Sequence, residues 1–331
     1  MARITVFGAG AMGTAIAMHL ARGEHDVVLW ASPFDELVLP GLLEQRRHPI
    51  LPAFLPEPLK VMGPHQVEAA AEGIDLAVMG AHSGGARTLA RLVVARCGSL
   101  PLVVSVAKGL EPETLKRMSE VYGEEVGHRD VVAMGGPVLA PELAQAAPSA
   151  AVMASVERPA VQEARACFHG PTLDVSVSDD VAGVEYCTLV KNVAAIGMGI
   201  LDGLTKVSGL EFRNAKAALF TQAIREQVEF VIALGGREET IHGLAGLGDT
   251  LVTSLGGRNR LYGEMIGEGA QPDRALSDLT ARGMTVEGVQ SAREVRELSG
   301  RLGLRLSFHA QVESILFESA APTTLLDCLK G

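Results

Sequence analysis

The stretch "RITVFGAGAMGTAIAMHLAR", residues 3–22, decides the fold. Its first five residues read as a buried β-strand, and residues 11–22 read as a helix. Between them Gly8, Gly10 and Gly13 stand as GxGxxG. In a strand–turn–helix setting each glycine has a task. Gly8 permits the tight turn, Gly10 lets the backbone approach a pyrophosphate, and Gly13 lets helix and strand pack closely. Ala11 and Met12 open a helix whose N-terminal N–H groups face the phosphates. Gly8, Gly10, Ala11, Met12 and Gly13 are therefore candidate cofactor-binding residues. Arg3 before an apolar run also has the look of a signal peptide, but the glycine spacing speaks for the dinucleotide reading.

The strand–helix rhythm continues outward. "DVVLW", "DLAVMG", "PLVVSVA", "DVVAMG" and "SAAVMA" read as further buried parallel strands, with residues 85–97 as a helix among them. That alternation predicts an α/β, doubly wound sheet. Five prolines between residues 49 and 64 mark an irregular segment. From about residue 181 the strands stop, and 214–234, 285–302 and 307–318 have helical spacing. A chain of 331 residues exceeds what one core usually serves. The expected domains are 1–180, binding the dinucleotide, and 181–331, all-helical and carrying substrate groups, parted near "SDDVAG".

The formal net charge of −10 excludes a general basic field for nucleic acid, so an anionic ligand needs a local positive pocket. The cysteines Cys97, Cys167, Cys187 and Cys328 have neither CxxC nor metal-type spacing, which suits a reduced, cytoplasmic protein without a metal. No run after the first reads as long and clean enough to span a bilayer.

Where the second strand ends, at Trp30-Ala31-Ser32, an NAD site commonly has an acid for the ribose 2′-hydroxyl. None stands there, and Asp35 comes a few residues late. A neutral Ser32 tolerates a 2′-phosphate, so NADP is favoured over NAD.

Lys191 and Asn192 interrupt the almost wholly apolar run "VEYCTLVKNVAAIGMGI", residues 184–200. A buried ammonium is expensive unless paired. Burial also lowers a lysine's pKa from about 10.4, which suits a proton donor to a developing alkoxide. The bland alternative is a snorkelling lysine near a helix end. Lys108, in "SVAKGLE", follows a strand's carboxyl end, where open α/β sheets bind ligands. "MGGP", with Gly136, makes a turn at another strand end. In "GLAGLGDTLVTSLGGRNRLYG", Asp249 and Thr253 share a helix face, and Arg258 with Asn259 follows a glycine pair suited to phosphate binding.

Taken together, "VFGAGAMGTAIA", Trp30, "SVAKGLE", "GGP", "GVEYCTLVKNVAAIGMGILDG", "NAKAALFTQAIREQ", "GLAGLGD", "GGRN" and "VEG" resemble the soluble NAD(P)-dependent glycerol-3-phosphate dehydrogenases over nearly the whole chain. The resemblance implies a Rossmann domain followed by a helical domain, commonly in a homodimer. It implies that Lys108 and Lys191 touch substrate, with Lys191 the acid/base and Asn192, Asp249 and Thr253 around it. It places Arg258 and Asn259 beside substrate phosphate and cofactor, and Trp30, Ser32, Ala140 and Glu287 on the cofactor side. Gly135 and Val138 depart from the bacterial "SGPS" pattern, so only Gly136 and Ala140 are carried over there. Ser32 replaces the bacterial arginine, which weakens the NADP reading.

The expected activity is reduction of dihydroxyacetone phosphate, a small phosphorylated substrate, to sn-glycerol 3-phosphate, supplying phospholipid synthesis. A lysine-dependent dehydrogenase for β-hydroxyacids shares the glycine loop and a "KN" helix but is not expected to carry "GLGD" before "GGRN". A non-catalytic dinucleotide sensor has no need of two lysines and Asp249.

Overall fold

The computed structural model describes residues 1–128 and 131–330. Asp130, which opens the predicted strand "DVVAMG", and Gly331, the end of the expected second domain, lie outside the described residues. The chain divides into two compact units, Met1–Glu185 and Tyr186–Gly331.

The first unit is built on a sheet of β1 (Arg3–Phe7), β2 (Asp26–Trp30), β3 (Lys60–Met62), β4 (Leu76–Met79), β5 (Leu102–Ser105), β6 (Val131–Gly135), β7 (Ser149–Ala154) and β8 (Leu173–Ser178). Its helices are α1 (Ala11–Arg22), α2 (Leu39–Glu44), α3 (Val67–Ala71), α4 (Ser83–Cys97), α5 (Met118–Val126), α6 (Ala140–Ala144) and α7 (Arg158–Phe168). The strand order is β3-β2-β1-β4-β5-β6-β7-β8, in which the chain reverses direction on either side of β1. That reversal is the switch point at which doubly wound sheets bind ligands.

Alternate residues feed two cores, one per face of the sheet. Ile4, Val6, Val27, Leu29, Leu76 and Val78 pack with α1 on one side. Phe7, Val28, Trp30, Ala77 and Met79 pack with α4 and α5 on the other. Burial on both faces is why these strands read as continuous apolar runs.

Two sequence expectations need correction. β7 pairs antiparallel with β6, although it was expected to be parallel. A doubly buried strand is apolar throughout in either direction, so its composition does not report polarity. β3 and β8 were not expected. β3 is only three residues, inside the proline-rich segment. β8 is an edge strand, "LDVSVS", whose exposed residues break the apolar run.

The second unit is helical. α8 (Val181–Ser208) begins in the first unit's residue range and continues into the second. There follow α9 (Arg213–Ala233), α10 (Glu238–His242), α11 (Asp249–Leu255), α12 (Arg258–Gly267), α13 (Pro272–Ala281), α14 (Glu287–Leu302) and α15 (Ser307–Phe317). Among the described residues α8 alone is long and apolar enough to cross a membrane, where the sequence suggested none. Its most apolar window is 94% buried inside the protein, so its apolar character is that of a core helix.

α8 and α12 cross with almost no side chain between them. A methyl on Gly199 would sit 2.0 Å from the Arg260 carbonyl oxygen, and one on Gly263 would sit 2.0 Å from that of Ile196. Gly203 and Gly267 repeat this one turn on. The crossing sets the start of α12, with Arg258 and Asn259, against the Lys191 segment of α8.

Candidate active site

In the first unit β1, β2, β4 and β5 end in one row. Phe7 is in register with Trp30 and Met79, and Met79 with Ser105. The loops that follow therefore emerge along one crest. Gly8 has φ +107°, a left-handed conformation reserved in practice for glycine. A methyl on Gly13 would lie 2.3 Å from the Gly8 carbonyl oxygen, so only glycine lets α1 start there. A methyl on Gly10 would meet only the Gly80 carbonyl oxygen, at 3.9 Å, so its other side is open to a ligand. No side chain among the described residues caps α1, whose first turn holds Ala11 and Met12 and carries no acid. A pyrophosphate fits such a helix N-terminus. Gly80, which the sequence reading passed over, lies so close that its own methyl would be 2.9 Å from the Gly8 oxygen.

Trp30 is fully buried, with its ring edge-on to Phe7 at 5.8 Å. Its backbone carbonyl, rather than its indole, belongs to the crest, where it accepts from the Gly8 N–H at 2.9 Å. Ser32 is also buried, and its hydroxyl donates to Asp35 Oδ2 at 2.6 Å. The same oxygen accepts the Ser32 N–H at 2.8 Å and the Ala9 N–H at 3.0 Å. Asp35 is thus not late in space. The Ser-Pro-Phe-Asp turn folds its carboxylate back to the end of β2, beside the glycine loop. His48 is a further buried residue the sequence reading missed. Its pKa is lowered by burial, against the nearby Ala9 carbonyl and Asp35, which raise it.

Lys108 follows β5 on the same crest, and its Nζ donates to the Gly136 carbonyl at 3.4 Å. Gly136, at φ +107°, packs so tightly against β7 that a methyl there would be 3.2 Å from Ala151 Cα. Ala140 opens α6 and is buried.

In the second unit α8, α11, α12 and α14 bring the remaining residues together. Lys191 Nζ lies 2.6 Å from Asp249 Oδ1 and donates to Thr253 Oγ at 3.1 Å. Asp249 and Thr253 share a face of α11, and the Thr253 hydroxyl donates to the Asp249 carbonyl at 2.7 Å. Asn192 lies in a second, adjoining network. Its Oδ1 accepts from Asn259 Nδ2 at 2.9 Å, and its Nδ2 donates to Ser291 Oγ at 3.3 Å. Asn259 Oδ1 in turn accepts the Gly288 N–H at 2.9 Å. Gly288 is the glycine of "VEG", and Ser291, three residues on, had no sequence signal of its own.

Arg258 opens α12 directly after Gly257, whose φ is +92°. It is half exposed and only loosely paired, with Nη2 3.8 Å from Glu287 Oε1. A guanidinium so placed has donors to spare for an anion.

A glycine-loop sheet followed by a helical unit with a buried lysine–carboxylate pair defines the class of two-domain, nicotinamide-linked dehydrogenases. The chain belongs to the NAD-dependent glycerol-3-phosphate dehydrogenase family. Family models described as the N-terminus and C-terminus of that enzyme match residues 3–161 and 180–327. A glycerol-3-phosphate dehydrogenase [NAD(P)+] of Salinibacter ruber is 36% identical, over 98% of this chain and 93% of the relative. One from a Thermoanaerobacter species is 35% identical, over 97% and 94%. The crystal structure of glycerol-3-phosphate dehydrogenase from Coxiella burnetii superposes with a TM-score of 0.88 at 31% identity, covering 99% of this chain and 98% of that one. A D-mandelate dehydrogenase structure, 12% identical with a TM-score of 0.60 over 98% and 99% of the two chains, shares the fold alone.

Proposed function

We propose that the protein reduces dihydroxyacetone phosphate to sn-glycerol 3-phosphate with NADH or NADPH, reversibly, and so supplies the glycerol phosphate of membrane lipids. The observation that carries this reading is the buried Lys191–Asp249 pair, in a chain of this family. When bound, the nicotinamide supplies the hydride for the ketone carbon.

The protein's own residues manage the proton and the charge. Lys191 Nζ gives a proton to the carbonyl oxygen as negative charge develops there, and takes it back in the reverse direction. The Asp249 carboxylate holds the ammonium in place and favours its charged form before the transfer. Thr253 fixes the direction of Nζ through its hydroxyl. Asn192 and Asn259 hold the start of α12, from which Arg258 reaches the substrate phosphate. Lys108 and the Gly136 turn are assigned to the same substrate on the family resemblance.

On the cofactor side, the carboxylate of Asp35 at the end of β2 supports NAD over the NADP that Ser32 suggested. An acid there accepts from ribose hydroxyls and repels a 2′-phosphate. In this reading the enzyme acts as a homodimer, as the family resemblance implies, and in the cytoplasm, which its cysteine spacing suits.

The test is oxidation of NADH and NADPH with dihydroxyacetone phosphate as acceptor, beside a panel of β-ketoacids. Turnover confined to the β-ketoacids would overturn the proposal, and tight cofactor binding without any turnover would favour a sensor.

A further inference from the structure

Residues 106–117, between the end of β5 and the start of α5, form neither helix nor strand beyond the single bridge of Leu110 with Arg117. A segment of that length is ordinarily mobile unless side chains tie it down. Lys108 stands near its start, followed by Gly109 at φ +95°, so the backbone beside the lysine has glycine's freedom.

The tie comes three residues later. Glu111 accepts two parallel bonds from one edge of a guanidinium: Arg87 Nε donates to Oε1 at 2.6 Å and Nη2 to Oε2 at 2.9 Å. The Thr114 hydroxyl donates to Oε2 at 2.5 Å. The Glu111 backbone closes the loop on itself, its N–H donating to the Lys116 carbonyl at 2.9 Å and its carbonyl accepting from Leu115 at 2.8 Å. Arg87 belongs to α4, and it also reaches α5, through Glu125 at 2.5 Å and Glu124 at 2.9 Å. One guanidinium thus fastens the loop to the helix that precedes it and to the helix that follows. The Arg87 hydrogen bond is the chief reason the Glu111 carboxyl is held to about 2, so it stays ionised at neutral pH.

We propose that Arg87 is a positioning residue for the reaction, acting through Glu111 to hold the Lys108 turn where it meets the substrate. This rests on the role given to Lys108 above. The forked geometry matters, because lysine cannot replace two parallel donors and still reach α5. A positioning role differs from a purely structural one in a measurable way. Its effect on catalysis must pass through Lys108.

The experiment is a double-mutant cycle of Arg87→Met with Lys108→Ala, read in kcat/KM for dihydroxyacetone phosphate. In the wild-type background Arg87→Met should lower kcat/KM roughly 10- to 100-fold, the effect of a misplaced catalytic group. In the Lys108→Ala background the same change should cost less than about twofold, because coupled residues are not additive. Losses that multiply would overturn the proposal. If Arg87→Met does not fold, Arg87→Lys keeps the charge without the fork and enters the same cycle. Hydrogen exchange gives an independent readout. The Gly109 and Leu110 amides should exchange about tenfold faster in the Arg87 variant, and unchanged exchange would overturn the tie itself. A wild-type enzyme inert toward dihydroxyacetone phosphate sinks the functional reading instead, and the exchange comparison then judges the tie alone.

Discussion

Lys191 Nζ and Asp249 Oδ1 are 2.6 Å apart, with side chains 5% and 1% exposed. Withdrawing both charges from water costs several kcal/mol per ion, which good geometry only offsets. Such a pair is weak evidence for stability, so its presence points to use of the ammonium. Lys191→Ala should lose about 10²- to 10⁴-fold in kcat. It should also lose stability, by about 3–5 kcal/mol, because the buried Asp249 carboxylate loses the ammonium 2.6 Å away. Lys191→Met combined with Asp249→Leu should regain most of that stability in urea unfolding and none of the turnover. A Lys191→Ala enzyme keeping more than about a tenth of wild-type kcat, short of the range expected for an acid–base group, takes the lysine out of the role.

Asp35 is expected to set the cofactor ratio. Asp35→Ser removes the carboxylate that Ser32 and Ala9 now share. The dissociation constant for NADPH relative to NADH should fall about tenfold, the worth of about one charge-assisted contact. Fluorescence of the bound reduced cofactors measures it without turnover. An unchanged ratio would mean that Asp35 serves only the turn.

Arg258 should act on the phosphate and not on the fold. It is half exposed and its partner Glu287 is 3.8 Å away, so Arg258→Ala should leave unfolding almost unchanged. With dihydroxyacetone phosphate kcat should fall and KM should rise, since phosphate binding also orients the ketone. Weak activity on unphosphorylated dihydroxyacetone should hardly change, and Arg258→Lys should restore only part of the loss. Equal losses on both substrates would assign the arginine to cofactor or fold.

Stability in acid should depend on Glu226. Burial alone would raise its pKa, but the His309 ring, by hydrogen bond and charge, and the Phe308 N–H outweigh it and hold the carboxyl at about 2. Its carboxylate accepts from His309 Nδ1 at 2.7 Å and from the Phe308 and His309 N–H groups at 2.8 and 3.1 Å. A carboxyl with a depressed folded pKa contributes stability above its unfolded value near 4.5. That contribution, on the order of 3 kcal/mol, should be lost as the pH falls toward 2. Unfolding free energies of wild type and Glu226→Gln, followed from pH 6 to 2, should converge at the acid end. Parallel curves would contradict the assignment.

The α8–α12 crossing should tolerate no side chain. Gly199→Ala pushes a methyl against the Arg260 carbonyl, and overpacking of this kind costs about 1–3 kcal/mol. It should also raise KM for dihydroxyacetone phosphate, because α12 carries Arg258. A destabilised enzyme with unaltered KM would show that the crossing does not place the arginine.

The glycine loop, the central strands and the long helices were legible because their signals are local. Two-residue alternation, helical spacing and glycine spacing each follow from backbone geometry within a few residues. Lys191 was conspicuous for a related reason, since an ammonium inside an apolar helix violates its own surroundings. The short or half-exposed strands β3 and β8 lack such a pattern, and the polarity of β7 leaves no trace in its composition.

What the amino-acid sequence determined by itself was therefore the central strands and long helices, the dinucleotide loop and the family. What only the tertiary structure decided was which distant groups meet. Asp249 reaches Lys191 across 58 positions of chain, Glu226 reaches His309 across 83, and Asp35 turns back onto Ala9 across 26. Those meetings depend on how closely helices cross and how a turn folds, and both are settled by packing and desolvation of the whole chain.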